Sequence, residues 1–268
     1  MATVDEVDPG LALVAAVLAA LYGGGVRRLA HRRRRWPLVR TVAFTGGAAT
    51  LVLAASGLLC DDTTSMPAHA LEHALVGMVA PLLLALGAPV TLALQAVGRT
   101  TQVAILRLVH ARPLVLLGHP VLAWLAFGGT TVALYTTPLL EATLRSDLLH
   151  AAVHVHVLVV GTLFCWMAVG LDPQRWPLPA GARMAAVLLA LPFHAVVGLA
   201  LVSSASLLVP DAYGDLGSQH AAGAVLWAAG ELFGLATAGI VLGQWMRADE
   251  REARRLDAHA PVTPAVHR

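Results

Sequence analysis

Residues 66–94 read MPAHALEHALVGMVAPLLLALGAPVTLAL. This run exceeds the roughly 20 apolar residues that a helix needs to cross a bilayer. It nevertheless opens on His69, Glu72 and His73, which fall within about one helical turn of one another. Ionisable side chains at the head of such a segment are costly unless they are paired, bind something or reach water. The stretch that points to a membrane therefore also marks where chemistry would sit.

The rest of the chain has the same character. Of its 268 residues, 57% are hydrophobic and only 13% charged, against about a quarter charged in soluble domains, and the mean hydropathy is +0.72. Stretches 10–30, 39–60, 67–97, 117–137, 149–171, 183–207 and 221–246 each have the length and composition of a span. The prediction is an all-α polytopic membrane protein, a bundle of seven transmembrane helices. Pro81, Gly87 and Pro89 predict a kink or short re-entrant piece within the third. Turn-rich DPQRWPLPAG and PDAYGDLGSQ separate the later spans. Residues 1–246 thus read as one transmembrane domain, and 247–268 as a charged helix end that frays into a disordered tail.

Arginine decides the expected orientation. All 18 basic residues are arginine. They gather between the first and second spans (Arg27, Arg28, Arg32 to Arg35, Arg40), then in alternate connections (Arg99, Arg107 and Arg112; Arg175 and Arg183), and again from Arg247 onward. The opposite side holds Arg145 with a surplus of acids, so the N-terminus is expected outside and the C-terminus in the cytoplasm. The net charge is only +2, and no basic face alternates with aromatics, which argues against a nucleic-acid partner. Cys60 and Cys165 fall in separate spans near opposite faces, so neither a disulfide nor a CxxC motif is expected. The acidic MATVDEVDPG lacks the basic start of a cleavable signal peptide.

This topology sorts the 12 histidines by depth. His69 and His73 open the third span, His150, His154 and His156 the fifth, and His220 the seventh, all at the outer end. Positions four apart share a helix face, so His69 with His73 and His150 with His154 form two same-face pairs, with the Met66 thioether one turn before His69. His156 points elsewhere. A lone interfacial histidine is ordinarily a packing residue, but two facing pairs form a set that suits a transition metal. Imidazole serves copper, zinc and iron, and a thioether favours Cu(I). Glu72 would orient the imidazoles from behind. Deeper in the membrane, Glu231 and His194 are expected to face the bundle interior, as a buried pair or as a step in a metal or proton path that His156 could join.

Taken in order, MPAHALEHALVGMVAPLLLALGAPVTLAL, GHPVLAW, LYTTPLLEATLRSDLLHAAVHVHVLVVGTLFCWMAVGLDP, LPFHAVVG and QHAAGAVLWAAGEL resemble the CtaG family of seven-span cytochrome c oxidase assembly factors, in its actinobacterial and bacillar form. The resemblance covers roughly residues 60–246. It implies a multi-pass protein of the bacterial cell membrane that helps to build oxidase copper centres, with oxidase subunits or a copper chaperone as partners. It also implies that the family's histidines correspond to His69, His73, His150, His154, His156 and His194, and its last-span Trp and Glu to Trp227 and Glu231. Where family members often carry Asp-Gln before the last span's Ala-Gly, this chain has Ser218, Gln219 and His220, so if that acid is a ligand or orienter its duty is either lost or passed to His220.

Two other classes compete. HALEH, residues 69–73, fits H-x-x-E-H, in which two histidines hold zinc and the glutamate activates water, so a seven-span zinc hydrolase could use the same cluster. A b-type cytochrome would use histidines of facing helices as haem ligands. The reading adopted is a non-enzymatic assembly factor that takes Cu(I) through Met66, His69, His73, His150 and His154, with His220 nearby, and passes it on by ligand exchange.

Overall fold

The structure, a computed structural model, describes residues 8–57, 65–208 and 215–259. Cys60 lies outside them, and Cys165 is buried with a free thiol. No strand occurs among the described residues. The helices are α1 Pro9–His31, α2 Leu38–Ala55, α3 Met66–Ala74, α4 Ala80–Leu86, α5 Pro89–Ala96, α6 Arg99–Val109, α7 Arg112–Leu117, α8 Pro120–Thr136, α9 Leu139–Leu144, α10 Asp147–Val169, α11 Ala180–Ser203 and α12 Leu216–His259. A π-helical turn, Leu75–Val79, joins α3 to α4. Among the described residues, six helical stretches are long and apolar enough to cross a membrane, counting Met66–Ala96 as one, and α8 is a shorter apolar helix. Large apolar side chains such as Val39, Leu148 and Leu232 stand exposed on the surface, as lipid-facing positions do. The chain is a membrane protein.

The expected bend in residues 67–97 is present, but not at Pro81. Pro81 has no N–H to give the carbonyl four residues back, and the helix absorbs this by widening, with Ala80 N–H reaching the Leu75 carbonyl. The true break comes at Ala88, whose φ of 49° is left-handed, just before Pro89 restarts the helix. Asp172, after the end of α10, caps that restart by accepting from Val90 N–H (3.0 Å), Thr91 N–H (2.7 Å) and the Thr91 hydroxyl (2.6 Å). The last span runs on as unbroken helix from Leu216 to His259, so the charged residues after 246 extend α12. Residues 260–268 lie outside the described part.

Small residues set the packing distances. α10 packs against the π turn and α4 on one side and α8 on another, while α11 lies along α12, which also meets α3. Gly198 of α11 and Gly223 of α12 face one another so closely that a Cβ on either would stand 2.6 Å from the other's carbonyl oxygen. The first turns of α1, α3 and α10 come together at one end of the bundle. Asp8 N–H donates to the Ala55 carbonyl of α2 (2.9 Å), and the Asp8 carboxylate faces His154 of α10.

Candidate metal centre

His69 and His73 sit one turn apart on α3, and their Nε2 atoms are 3.0 Å apart. His150 and His154, one turn apart on α10, have ring centroids 4.3 Å apart. The two pairs face each other, with centroid distances of 5.1 Å for His69–His150, 6.0 Å for His73–His150 and 5.0 Å for His73–His154. One ring nitrogen from each of His69, His73 and His150 falls within 4.8 Å of the others. Nitrogens bound tetrahedrally at about 2.0–2.1 Å from an ion stand about 3.4 Å apart. Small side-chain rotations would therefore bring these three onto one ion.

The rings are poorly served by the protein alone. Among the described residues, His73 Nδ1, His150 Nε2 and His154 Nε2 are buried without a hydrogen-bond partner. An orphaned polar atom costs about 1–3 kcal/mol, and several within one cluster suggest that something else binds there. Neutral imidazole lone pairs crowded in this way are what a soft or borderline cation would satisfy.

Carboxylates flank the group. Glu72 Oε1 lies 3.6 Å from His154 Nε2, and Asp8 Oδ2 lies 3.4 Å from His154 Nδ1. Glu72 thus lies beside His154, whereas Asp8 escaped sequence reasoning. Its one signal was the Asp-Pro-Gly start of the first span. Asp8 caps α1, accepting from Gly10 N–H (2.9 Å) and Leu11 N–H (3.0 Å) through Oδ1, which leaves Oδ2 for His154. Burial pushes the Asp8 carboxyl up, but hydrogen bonds from Leu11, His154 and Gly10 and the charge of His154 together hold it below its ordinary value of 3.8. Because the folded value is the lower one, the stabilisation is present above pH 3.8 and is lost as pH falls through the folded value. Asp8→Ala is therefore expected to lower thermal stability by about 1 kcal/mol at neutral pH. Asp8→Asn, an equally good cap, should keep most of that stability but lose its acid sensitivity. Melting curves in detergent at two pH values distinguish these variants.

Other expected site residues lie elsewhere. Met66 is fully buried in an apolar cluster with Leu134, Tyr135, Leu140 and Leu226, where it packs as core. His220 gives Nε2 to the Ser204 carbonyl (3.0 Å), tying the start of α12 to the end of α11, and does not join the three-nitrogen group. Exposed His156 meets the Thr130 hydroxyl at 2.9 Å. His194 is buried at the α11–α12 contact, with its Cβ against Gly230, but its Nε2 meets Thr131 of α8 at 3.1 Å. No bond joins it to half-buried Glu231 among the described residues, so the pair is not formed. Trp227 is exposed.

The model of the family described as cytochrome c oxidase caa3 assembly factor matches residues 20–248. Among curated proteins, the chain is 32% identical to uncharacterized proteins of Mycobacterium leprae (over 98% of this chain) and of Mycobacterium bovis and Mycobacterium tuberculosis (over 96%). It spans only 42% of the length of each. No solved structure matches.

Proposed function

The chain belongs to the caa3 cytochrome c oxidase assembly factor family, and from that premise we propose that it binds one copper ion at the His69–His73–His150 cluster and hands it to an oxidase subunit or a partner chaperone. The convergence of three buried or half-buried imidazoles from two helices carries this reading. In this reading α8 is the short fourth of seven spans, and the alternating arginines support a cluster at the extracytoplasmic face of the cell membrane. Copper centres of the oxidase on that side would then be within reach of it.

The chemistry suits transfer. Three neutral imidazoles hold Cu(I) firmly enough to select it over hard cations, and His154, next to the set and steadied by Asp8 and Glu72, can replace one ligand as the ion leaves. Second-shell carboxylates fix ring orientation and raise ligand basicity. The protein's role is binding and exchange, with no bond made or broken in a substrate.

Zinc is the informative rival, because three histidines plus water is also a catalytic zinc arrangement, and Glu72 lies beside it. Elemental analysis of the full chain, purified after growth with both metals supplied, separates the readings. Copper near one per chain is expected. Zinc at that ratio with chelator-sensitive hydrolysis would transfer the site to the hydrolase reading, a Soret band would indicate haem, and absence of metal would refute the site.

A further inference from the structure

His73 is a two-sided residue. Its Nε2 meets His69 at 3.0 Å, while its Nδ1 is buried with no hydrogen-bond partner among the described residues. The same side chain lines a narrow cavity with about 40 Å³ open to the centre of a water molecule. Met78, Thr130, Thr131, Tyr135 and His194 also line it. Ala74 at the end of α3 and Gly77 of the π turn, which carry little or no side chain, also line the cavity.

The chemistry of the lining decides what fills this space. A water needs roughly 10–15 Å³ of such volume and two to four polar partners, whereas an all-apolar cavity stays dry. The volume admits about three waters by that measure. Polar side chains are among those lining the cavity, His73 from α3 and Thr131 from α8, whose hydroxyl is 3.1 Å from His194 Nε2. A ligating imidazole nearly always donates its second N–H to a carboxylate, carbonyl or water. His73 Nδ1 has none of the first two within bonding reach among the described residues.

We propose that this cavity is a hydration site whose short chain of waters joins His73 Nδ1 to the Thr131–His194 pair, making Thr131 and His194 positioning residues for the outer cluster. Neutral imidazole carries one N–H and one lone pair. Donation from Nδ1 into the water chain leaves the Nε2 lone pair facing His69 and His150. The consequence for copper rests on the function proposed above, but the hydration itself does not.

Hydroxyl-radical footprinting of the full chain in detergent tests hydration without any metal. Met78 and Met66 are both buried, at 5% and 1% exposure, but only Met78 lines the cavity. Met78 is expected to oxidise several-fold faster than Met66, and equal protection of the two would mean a dry cavity and overturn the proposal. Thr131→Val, close to the same size, should reduce Met78 oxidation and weaken Cu(I) binding about 10–100-fold, with the melting temperature lowered only by the loss of one part-buried hydrogen bond. Unchanged copper affinity in this variant would overturn the positioning role. If the wild-type chain bound no Cu(I), the proposed function would fall, while the Met78 to Met66 ratio would still decide hydration.

Discussion

Replacing His73 and His150 together by alanine is expected to take copper binding by the detergent-solubilised chain from about one ion to none. Each helix would then keep one imidazole of its pair, His69 and His154, and among the described residues the three-nitrogen group would no longer exist. The controls are as informative as the loss. His156→Ala and His220→Ala remove histidines that the sequence places at the same level, yet His156 is tied to Thr130 and His220 to the Ser204 carbonyl. Both variants should retain full copper stoichiometry. Loss in all three would mean a general effect on folding, and melting curves recorded alongside reveal it. Acid should also release the ion, because imidazole must be deprotonated to ligate a metal and protons then compete for the same lone pairs.

The second large effect concerns the contact that holds the two histidine helices together. A Cβ on Gly161 of α10 would stand 2.0 Å from the Gly77 carbonyl oxygen, 2.9 Å from its carbon and 3.0 Å from Pro81 Cγ. The two nearest obstructing atoms are backbone of the π turn, so no rotamer change relieves them. Gly77 is also the residue whose carbonyl Pro81 deprives of its usual N–H partner, and its close approach to Gly161 gives that oxygen a neighbour. Gly161→Ala is therefore expected to cost about 3 kcal/mol, at the upper end for an overpacked core, and to lower both melting temperature and folded yield. Gly129→Ala is the matched control, since a Cβ there meets nothing within 4 Å. In a helix interior that change removes glycine's entropic penalty and should be neutral or stabilising by up to about 1 kcal/mol. Equal behaviour of the two variants in thermal melts would show that the α10–π-turn contact does not set the geometry of the site.

The parts of the molecule readable from sequence are those governed by local period. Apolar runs of the right length become helices, and the four-residue spacing in HALEH and in HAAVH puts each histidine pair on one face, where the structure brings the pairs together. The unreadable parts depend on how helices rotate and on which backbone groups they leave open. Met66 shares a face with His69 by spacing alone, but that end of α3 meets an apolar cluster that takes the thioether as core. His220 lies at the expected level, yet the end of α11 offers a free carbonyl at Ser204 that claims its ring. His194 and Glu231 lie at similar depth on neighbouring helices, but Gly230 admits the His194 Cβ while the ring nitrogen turns to α8. Asp8 stands, by sequence, only as an acid just before the first span. Only the meeting of α1 with α10 reveals its second oxygen as a partner of His154.

X-ray absorption spectroscopy of the purified full chain loaded with Cu(I) asks most directly whether imidazoles of α3 and α10 clasp one ion. The account predicts a spectrum dominated by about three nitrogen neighbours near 2.0 Å with the outer-shell scattering of imidazole, and no sulfur shell, because Met66 belongs to the apolar core. A first shell containing sulfur, or a copper ion surrounded only by oxygen, would contradict it.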